Sequence, residues 1–325
     1  MTAASLRSEL ITLLRCPACS GGFAPPAGDH PSHLSCASCG RVVPVIDGIP
    51  RFGTVADDPL ARSTQDSFGY EWTAFGDWRP SGAANFEQYF GDLDPESLRG
   101  WTVLDAGCGM GRHARQVGDH AHFVVAMDFS RAIDQAARNV AELKNIACVQ
   151  ADVFTPPFAD GSFDFVYSLG VLHHVDETAL AVRRLTAKLK PGGRFRLYLH
   201  WKRRGVSGFM LRAVSLLRRV TTRLPFGVLR ALCWILSVFI FGLVVIPYRL
   251  LARLGVRRHA SWPLFLYARY PFRVLYNDQF DRFSAPLEKR YDAEDVSALL
   301  HAAGLEQIRV WPSFGWMGEG VRPLS

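Results

Sequence analysis

The chain has 325 residues, 49% of them hydrophobic and 21% charged, which leaves room for a sizeable core and more than one domain. No internal repeat or low-complexity segment stands out, which argues against a solenoid or a disordered chain. The formal charge of +7 is unevenly placed: Thr178 to Asn277 holds 20 Lys and Arg and no acid, so the remainder of the chain is net negative.

Near the N-terminus Arg7, Glu9 and Arg15 interrupt a short, weakly apolar run, which is no signal peptide. Two CxxC pairs follow, Cys16-Pro17-Ala18-Cys19 and Cys36-Ala37-Ser38-Cys39, separated by 16 residues. Each CxxC turn presents two thiolates on one side of a knuckle, and tetrahedral zinc needs four soft ligands. The expected metal set is therefore Cys16, Cys19, Cys36 and Cys39, in a structural role because four thiolates leave no open position for a substrate. His30 and His33, between the pairs, read as surface-loop residues rather than alternative ligands. Cys108, Cys148 and Cys233 are scattered through apolar segments, so no disulfide framework is implied and a reducing compartment is. "RVVPVIDGIPRF", Arg41 to Phe52, resembles the small zinc-ribbon domain that activates certain tRNA and translation-factor methyltransferases in trans. Residues 1–55 would carry such a domain in cis.

Residues 56–100 read as a polar connector followed by short helices packing over a cofactor site. Their aromatic residues Phe68, Tyr70, Trp72, Phe75 and Trp78 read as core rather than as a substrate cage.

The apolar run Trp101 to Leu104 ends in Asp105, with glycines at 107, 109 and 111 and a helix-compatible segment after them. Glycine in a strand-to-helix turn permits positive φ and lets a ligand lie against the main chain. A carboxylate two residues before the first glycine suits an ammonium and repels a pyrophosphate. The spacing is G-x-G-x-G, not the G-x-G-x-x-G of dinucleotide sites. Val124 to Asp128, Ala147 to Asp152, Phe163 to Ser168 and Arg194 to Leu199 read as further strands. Helical patterns lie at Arg131 to Leu143 and Glu177 to Leu189, and a turn at Lys190 to Gly193. This alternation implies a doubly wound, Rossmann-like parallel sheet with helices on both faces. Asp128 is placed to accept from two ribose hydroxyls and Asp152 to meet an adenine amino group.

"VLDAGCGMGRHA", "VVAMDFS", "QADVFTPPFADGSFDFVYSLGVLHHV" and "LKPGGRFRLYLH" resemble, in order, the motifs of class I S-adenosylmethionine-dependent methyltransferases, in the branch of the ubiquinone and menaquinone enzymes. The resemblance covers about residues 100–200 and resumes more weakly at 291–325, where "YDAEDVSALLHAAGLEQIRVW" is similar to the last helix and the following strand. It implies that S-adenosyl-L-methionine (AdoMet) is bound by Asp105, Gly107, Cys108, Gly109, Gly111, Asp128, Phe129, Asp152, Val153 and Leu169. The methyltransferase domain would then comprise 101–200 plus 278–325.

Residues 201–277 leave that pattern and read as a basic, hydrophobic helical insert, with 14 Lys or Arg and no acid. Ala231–Tyr248 is an uncharged run of 18 residues, ~27 Å as a helix, just short of a ~30 Å hydrocarbon core. Arginines at 219, 223 and 230 precede it and at 249, 253, 257 and 258 follow it. A single crossing would part the two halves of one sheet, and both flanks are equally basic. With Gly242 and Pro247 inside the run, an in-plane helix or a shallow re-entrant hairpin is expected. This describes a cytoplasmic protein held peripherally or monotopically at an anionic membrane face. A buried lid and a dimer interface are the alternatives, and the oligomeric state is left open. Runs such as "SVFIFGLVVI" have no partner on RNA, which argues against nucleic acid.

The expected activity is methyl transfer to a small or lipid-like acceptor, with an RNA methyltransferase or a non-catalytic interaction protein of the same fold as alternatives. A general base is needed only when the nucleophile arrives protonated. His173, His174, Tyr198 and His200 stand near the carboxyl ends of strands, but the double histidine equally fits a loop-ordering role, and no catalytic residue is assigned.

Overall fold

The computed structural model describes residues 6–25, 28, 30–53, 59–75, 82–202, 214–255 and 264–324. Trp78, Arg257 and Arg258 lie outside the described residues. The chain divides into two compact units, one comprising 1–73, 82–202 and 287–325, the other 74–81 and 203–286.

The first unit begins with α1, Ser8–Leu13, and an antiparallel sheet of β1 (His33–Ser35), β2 (Val42–Ile46) and β3 (Ile49–Pro50). Alternation along β2 buries Val43 and Val45 and leaves Val42 and Ile46 outside, as expected of a strand with one solvated face. Asp47 and Gly48, both at positive φ, make the tight turn into β3. Arg51 then bridges in parallel to Gln150, and Phe52 N–H donates to the Gln150 carbonyl at 2.9 Å. The module thereby covers an edge of the main sheet that would otherwise expose unpaired backbone. Its core is continuous with that sheet: Leu10, Leu14, Phe23 and Phe52 belong to one apolar cluster with Val149 and Phe158.

Next come α2 (Pro59–Ala74), α3 (Gly82–Phe90) and the main sheet. Its strands are β4 (Thr102–Ala106), β5 (Phe123–Asp128), β6 (Ile146–Gln150), β7 (Phe163–Leu169), β8 (Leu189–Leu199), β9 (Glu306–Ser313) and β10 (Gly315–Val321). The order is β6-β5-β4-β7-β8-β10-β9. The first five are parallel, linked by α4 (Arg112–Gly118), α5 (Ala132–Asn139) and α6 (Thr178–Thr186). All six residues of β5 are buried, as helices on both faces require.

This is the doubly wound sheet the sequence implied, with two differences. The edge beyond β8 is antiparallel, because β9 and β10 form a hairpin whose second strand inserts beside β8. The expected turn at Lys190 to Gly193 lies within β8 as a bulge: Phe163 pairs with Leu189 and Phe165 with Arg194. Inside the sheet Arg196 is fully buried and faces Glu319 directly across the strands. Its guanidinium donates to Glu319 Oε2 at 2.6 and 2.9 Å and to Asp92 Oδ1 at 2.8 Å, so the buried charge is compensated.

In the second unit residues 214–221 are helical, followed by α7 (Phe226–Ile240), a π turn (Phe241–Val245), α8 (Ile246–Arg253) and α9 (Phe272–Ser284). Phe226–Arg253 is one continuous helix of 28 residues rather than a re-entrant hairpin. The π turn at Gly242 takes up the irregularity just before Pro247. By length and composition this is the one described helix able to cross a membrane. Leu229, Cys233, Ser237 and Val245 form its buried side, with Cys233 Sγ 3.6 Å from the Gln279 carbonyl on α9. Val228, Leu232, Ile235, Phe239, Leu243, Ile246, Leu250 and Leu254 form a continuous exposed stripe at spacings of three and four.

Candidate functional site

The chain moves from β4 outward to β5 and β6, then returns past β4 to β7. A doubly wound sheet opens a crevice at this reversal, above the carboxyl ends of its strands. A cavity lies there, lined by Asp105 and Gly107 after β4, Asp128 and Phe129 after β5, Asp152 and Val153 after β6, and Leu169 and Gly170 after β7.

The glycine loop is held from below. Gly107 N–H donates to the Met127 carbonyl at 2.7 Å with φ of +86°, and a Cβ there would lie 2.4 Å from Val171 Cγ2. Gly109 N–H donates to Asp128 Oδ2 at 2.9 Å, while Asp128 Oδ1 accepts from Ser130 N–H and Oγ–H at 2.8 and 2.7 Å. Burial raises the Asp128 pKa, and these three bonds oppose the rise. Asp105 is more deeply desolvated: burial pushes its carboxyl up to about 7. Its Oδ2 is buried with no hydrogen-bond partner among the described residues. Asp152 Oδ1 accepts from Phe154 N–H at 2.9 Å, and burial raises its pKa as well.

Of the ten residues expected around the cofactor, nine line this cavity. Gly111 does not. It sits at the start of α4 with φ of +78°, where a Cβ would crowd Ala136 at 3.1 Å, so its role is packing of α4 against α5.

The histidines separate. His174 lines the cavity and donates from Nδ1 to the Leu287 carbonyl at 2.6 Å. The rings of His173 and His200 stack at 4.0 Å outside the cavity lining, and His200 Nδ1 bonds Glu288 Oε1 at 2.8 Å. Tyr198 meets both rings edge-on.

Two aromatics expected in the core also reach the cavity. Thr64, Phe68 and Trp72 recur every four residues on α2 and line one wall, with Arg112 5.9 Å over the Trp72 ring. Phe75 is buried as expected, against Tyr276. The i, i+4 spacing of Thr64, Phe68 and Trp72 was the available sequence signal.

At the N-terminus the Sγ atoms of Cys16, Cys19, Cys36 and Cys39 lie within 4.8 Å of one another. Cys16–Cys39 and Cys19–Cys36 are 3.7 and 3.5 Å apart. Four sulfurs around a tetrahedral ion at ~2.3 Å would stand about 3.8 Å apart, so the cluster fits a four-thiolate metal and is too open for disulfides. His30 and His33 are exposed and outside the cluster.

Residues 104–197 match the family described as a methyltransferase domain. This segment is a methyltransferase domain. The tRNA U34 carboxymethyltransferase of Pseudoalteromonas translucida is 38% identical over 30% of the chain and 31% of its own length. The ubiquinone biosynthesis O-methyltransferase of Coxiella burnetii is 29% identical over 30% and 43%. The chain spans less than half the length of these curated relatives. A crystal structure of Burkholderia thailandensis 1,6-didemethyltoxoflavin-N1-methyltransferase superposes with a TM-score of 0.50 at 14% identity, covering 88% of this chain and 97% of that one, a likeness of fold. The methyltransferase domain thus supplies the glycine loop, the three strand-end acids and the double histidine. The α2 wall comes from outside the matched segment.

Proposed function

We propose that the chain is a class I AdoMet-dependent methyltransferase whose acceptor is a small or lipid-like molecule met at a membrane surface. The observation that carries the cofactor reading is the convergence of Asp105, Asp128 and Asp152 with the glycine loop on one cavity. The unpartnered Asp105 Oδ2 fits the ammonium of a methionine moiety. Asp128 retains lone pairs for ribose hydroxyls after its three protein bonds, and Asp152, on the same cavity, would meet the adenine amino group. The bound cofactor would supply an electrophilic methyl on sulfonium. The protein's contribution is to hold that methyl in line and exclude water.

Membrane attachment is supported by the exposed stripe of Phe226–Arg253, where Phe239, Leu243 and Leu250 are 61, 75 and 51% exposed. Arg230 and Arg253 are exposed at either end to meet anionic headgroups. The helix lies beside α9, which carries Arg273, Asn277, Asp278, Asp281 and Arg282. Burying that neighbour in hydrocarbon would be costly, so the helix rests in the interface with its stripe downward. The four-thiolate cluster is read as a structural zinc site for the N-terminal module.

Calorimetry with S-adenosylhomocysteine tests the cofactor reading, and micromolar-range binding is expected. Flotation with anionic vesicles tests the attachment: wild type should float, less so in high salt, and the I235S/F239S/L243S variant should stay behind while still binding S-adenosylhomocysteine. Retention of RNA with a steep salt dependence would favour an RNA acceptor instead.

A further inference from the structure

We propose that Tyr167 is the positioning residue for Asp105: its hydroxyl donates to the ionised carboxylate and holds it towards the ammonium of the bound cofactor. The proposal rests on the cofactor reading above and adds to it a residue on β7 that stands behind the cavity lining.

Three observations carry it. First, Tyr167 pairs directly with Asp105 across β7 and β4, so the two side chains leave neighbouring parallel strands on the same face. Second, Tyr167 is fully buried and Asp105 is 2% exposed, yet neither Tyr167 Oη nor Asp105 Oδ2 has a hydrogen-bond partner among the described residues. An orphaned donor and an orphaned acceptor thus stand side by side. Third, the slot around the phenol is apolar: Phe90 meets its ring edge-on at 5.1 Å, and Phe165 lies at 5.5 Å. A phenylalanine would fill that slot equally well. The hydroxyl adds nothing to the packing and destabilises the fold unless it meets an acceptor.

The chemistry gives the pair its direction. Burial and the neighbouring Asp105 raise the Tyr167 pKa well above its ordinary value, so the phenol stays protonated and can donate. Burial pushes the Asp105 carboxyl up to about 7, and the Tyr167 hydroxyl is the strongest influence opposing that rise. A carboxylate has about four acceptor sites, so one bond from Tyr167 leaves the others for an ammonium and fixes the plane in which they lie.

The other ionisable groups facing Asp105 are Asp128 after β5, which raises its pKa further, and Arg112 on α4, which lowers it. Burial keeps the thiols of Cys108 and Cys148 protonated and the adjacent His113 neutral. All of these remain when the phenol is replaced by a phenyl ring.

The test is calorimetry of S-adenosylhomocysteine with the full chain as wild type, Tyr167→Phe, Asp105→Asn and the double variant, from about pH 5.5 to 8.5. At the alkaline end, where Asp105 is ionised with or without the hydroxyl, wild type and Tyr167→Phe should agree within about 3-fold. At the acid end Tyr167→Phe should bind about 10-fold more weakly, with the midpoint of the pH profile about one unit higher, as expected when a hydrogen bond to a carboxylate is lost. A role in packing alone would weaken binding equally at every pH. In the Asp105→Asn background, Tyr167→Phe should leave the pH profile unchanged. Parallel profiles for wild type and Tyr167→Phe, or the same shift in the Asp105→Asn background, would overturn the proposal. Absence of binding by wild type at every pH would instead overturn the cofactor reading.

Discussion

Gly109 donates its backbone N–H to Oδ2 of Asp128 across 2.9 Å, so the acid ending one strand clamps the glycine loop that follows its neighbour. One carboxylate therefore shapes the loop and presents lone pairs to the cavity.

Asp128→Asn should weaken S-adenosylhomocysteine binding less than Asp128→Ala. The amide keeps an acceptor oxygen and the shape, whereas alanine frees both Gly109 and Ser130. With charge-assisted bonds worth about 1.5–3 kcal/mol, a loss of roughly 10- to 100-fold is expected for alanine in calorimetry. Equal affinities for all three proteins would contradict the assignment.

Gly107→Ala should lower both stability and cofactor affinity, because its Cβ would stand 2.4 Å from Val171 Cγ2 at a φ of +86°. Adding Val171→Ala removes the clash but not the backbone strain. The double variant should recover part of the melting temperature, and no recovery would mean that the clash is not the cause.

Asp105 should make cofactor binding pH-dependent. Its carboxyl is raised from 3.8 to about 7 by burial, so the folded apoprotein holds a proton that the unfolded chain has lost. The resulting stability is fully present below the ordinary value and is lost as pH rises towards 7. An ammonium needs the ionised form, so S-adenosylhomocysteine affinity should rise with pH over about 6–8. Both trends should vanish in Asp105→Asn, measured by melting curves and calorimetry across that range.

Breaking the Arg196–Glu319 pair should destabilise, but by less than the roughly 3–5 kcal/mol of an uncompensated buried charge, because Asp92 still meets Arg196 and Arg309 still meets Glu319. Arg196→Leu and Glu319→Leu together should be less destabilising than the sum of the single variants in urea unfolding. Additivity would show that the pair is not coupled.

Removal of the zinc proposed for the four-thiolate cluster, or Cys36→Ser, should loosen more than the N-terminal module. Leu14 and Phe52 share a core with Val149 and Phe158, and Phe52 caps the edge strand at Gln150. Hydrogen exchange should quicken in β6 as well as in the module, whereas unchanged protection of β6 would show that the module is independent.

The parts of this protein visible in its sequence are those that local chemistry repeats. Acids at 105, 128 and 152 each follow an apolar run, because a parallel strand delivers its last side chain to the same edge of the sheet. The two CxxC pairs are equally legible, since each turn must satisfy its own geometry before the pairs meet. The same holds for the 18-residue uncharged run, whose composition persists whatever packs beside it.

What tertiary structure decided lies between residues far apart in the chain. Thr64, Phe68 and Trp72 look like one more apolar helix face until α2 is laid over the glycine loop. Gly111 shares its spacing with Gly107 and Gly109, yet α5 turns it into a packing contact. β10 enters beside β8, and that pairing sets Glu319 opposite the buried Arg196. Among three neighbouring histidines, only the one whose Nδ1 is held by Leu287, 113 residues away, lines the cavity. Local periodicity records which face of an element is apolar. Which partner covers that face is set by contacts that exist only once the chain has closed.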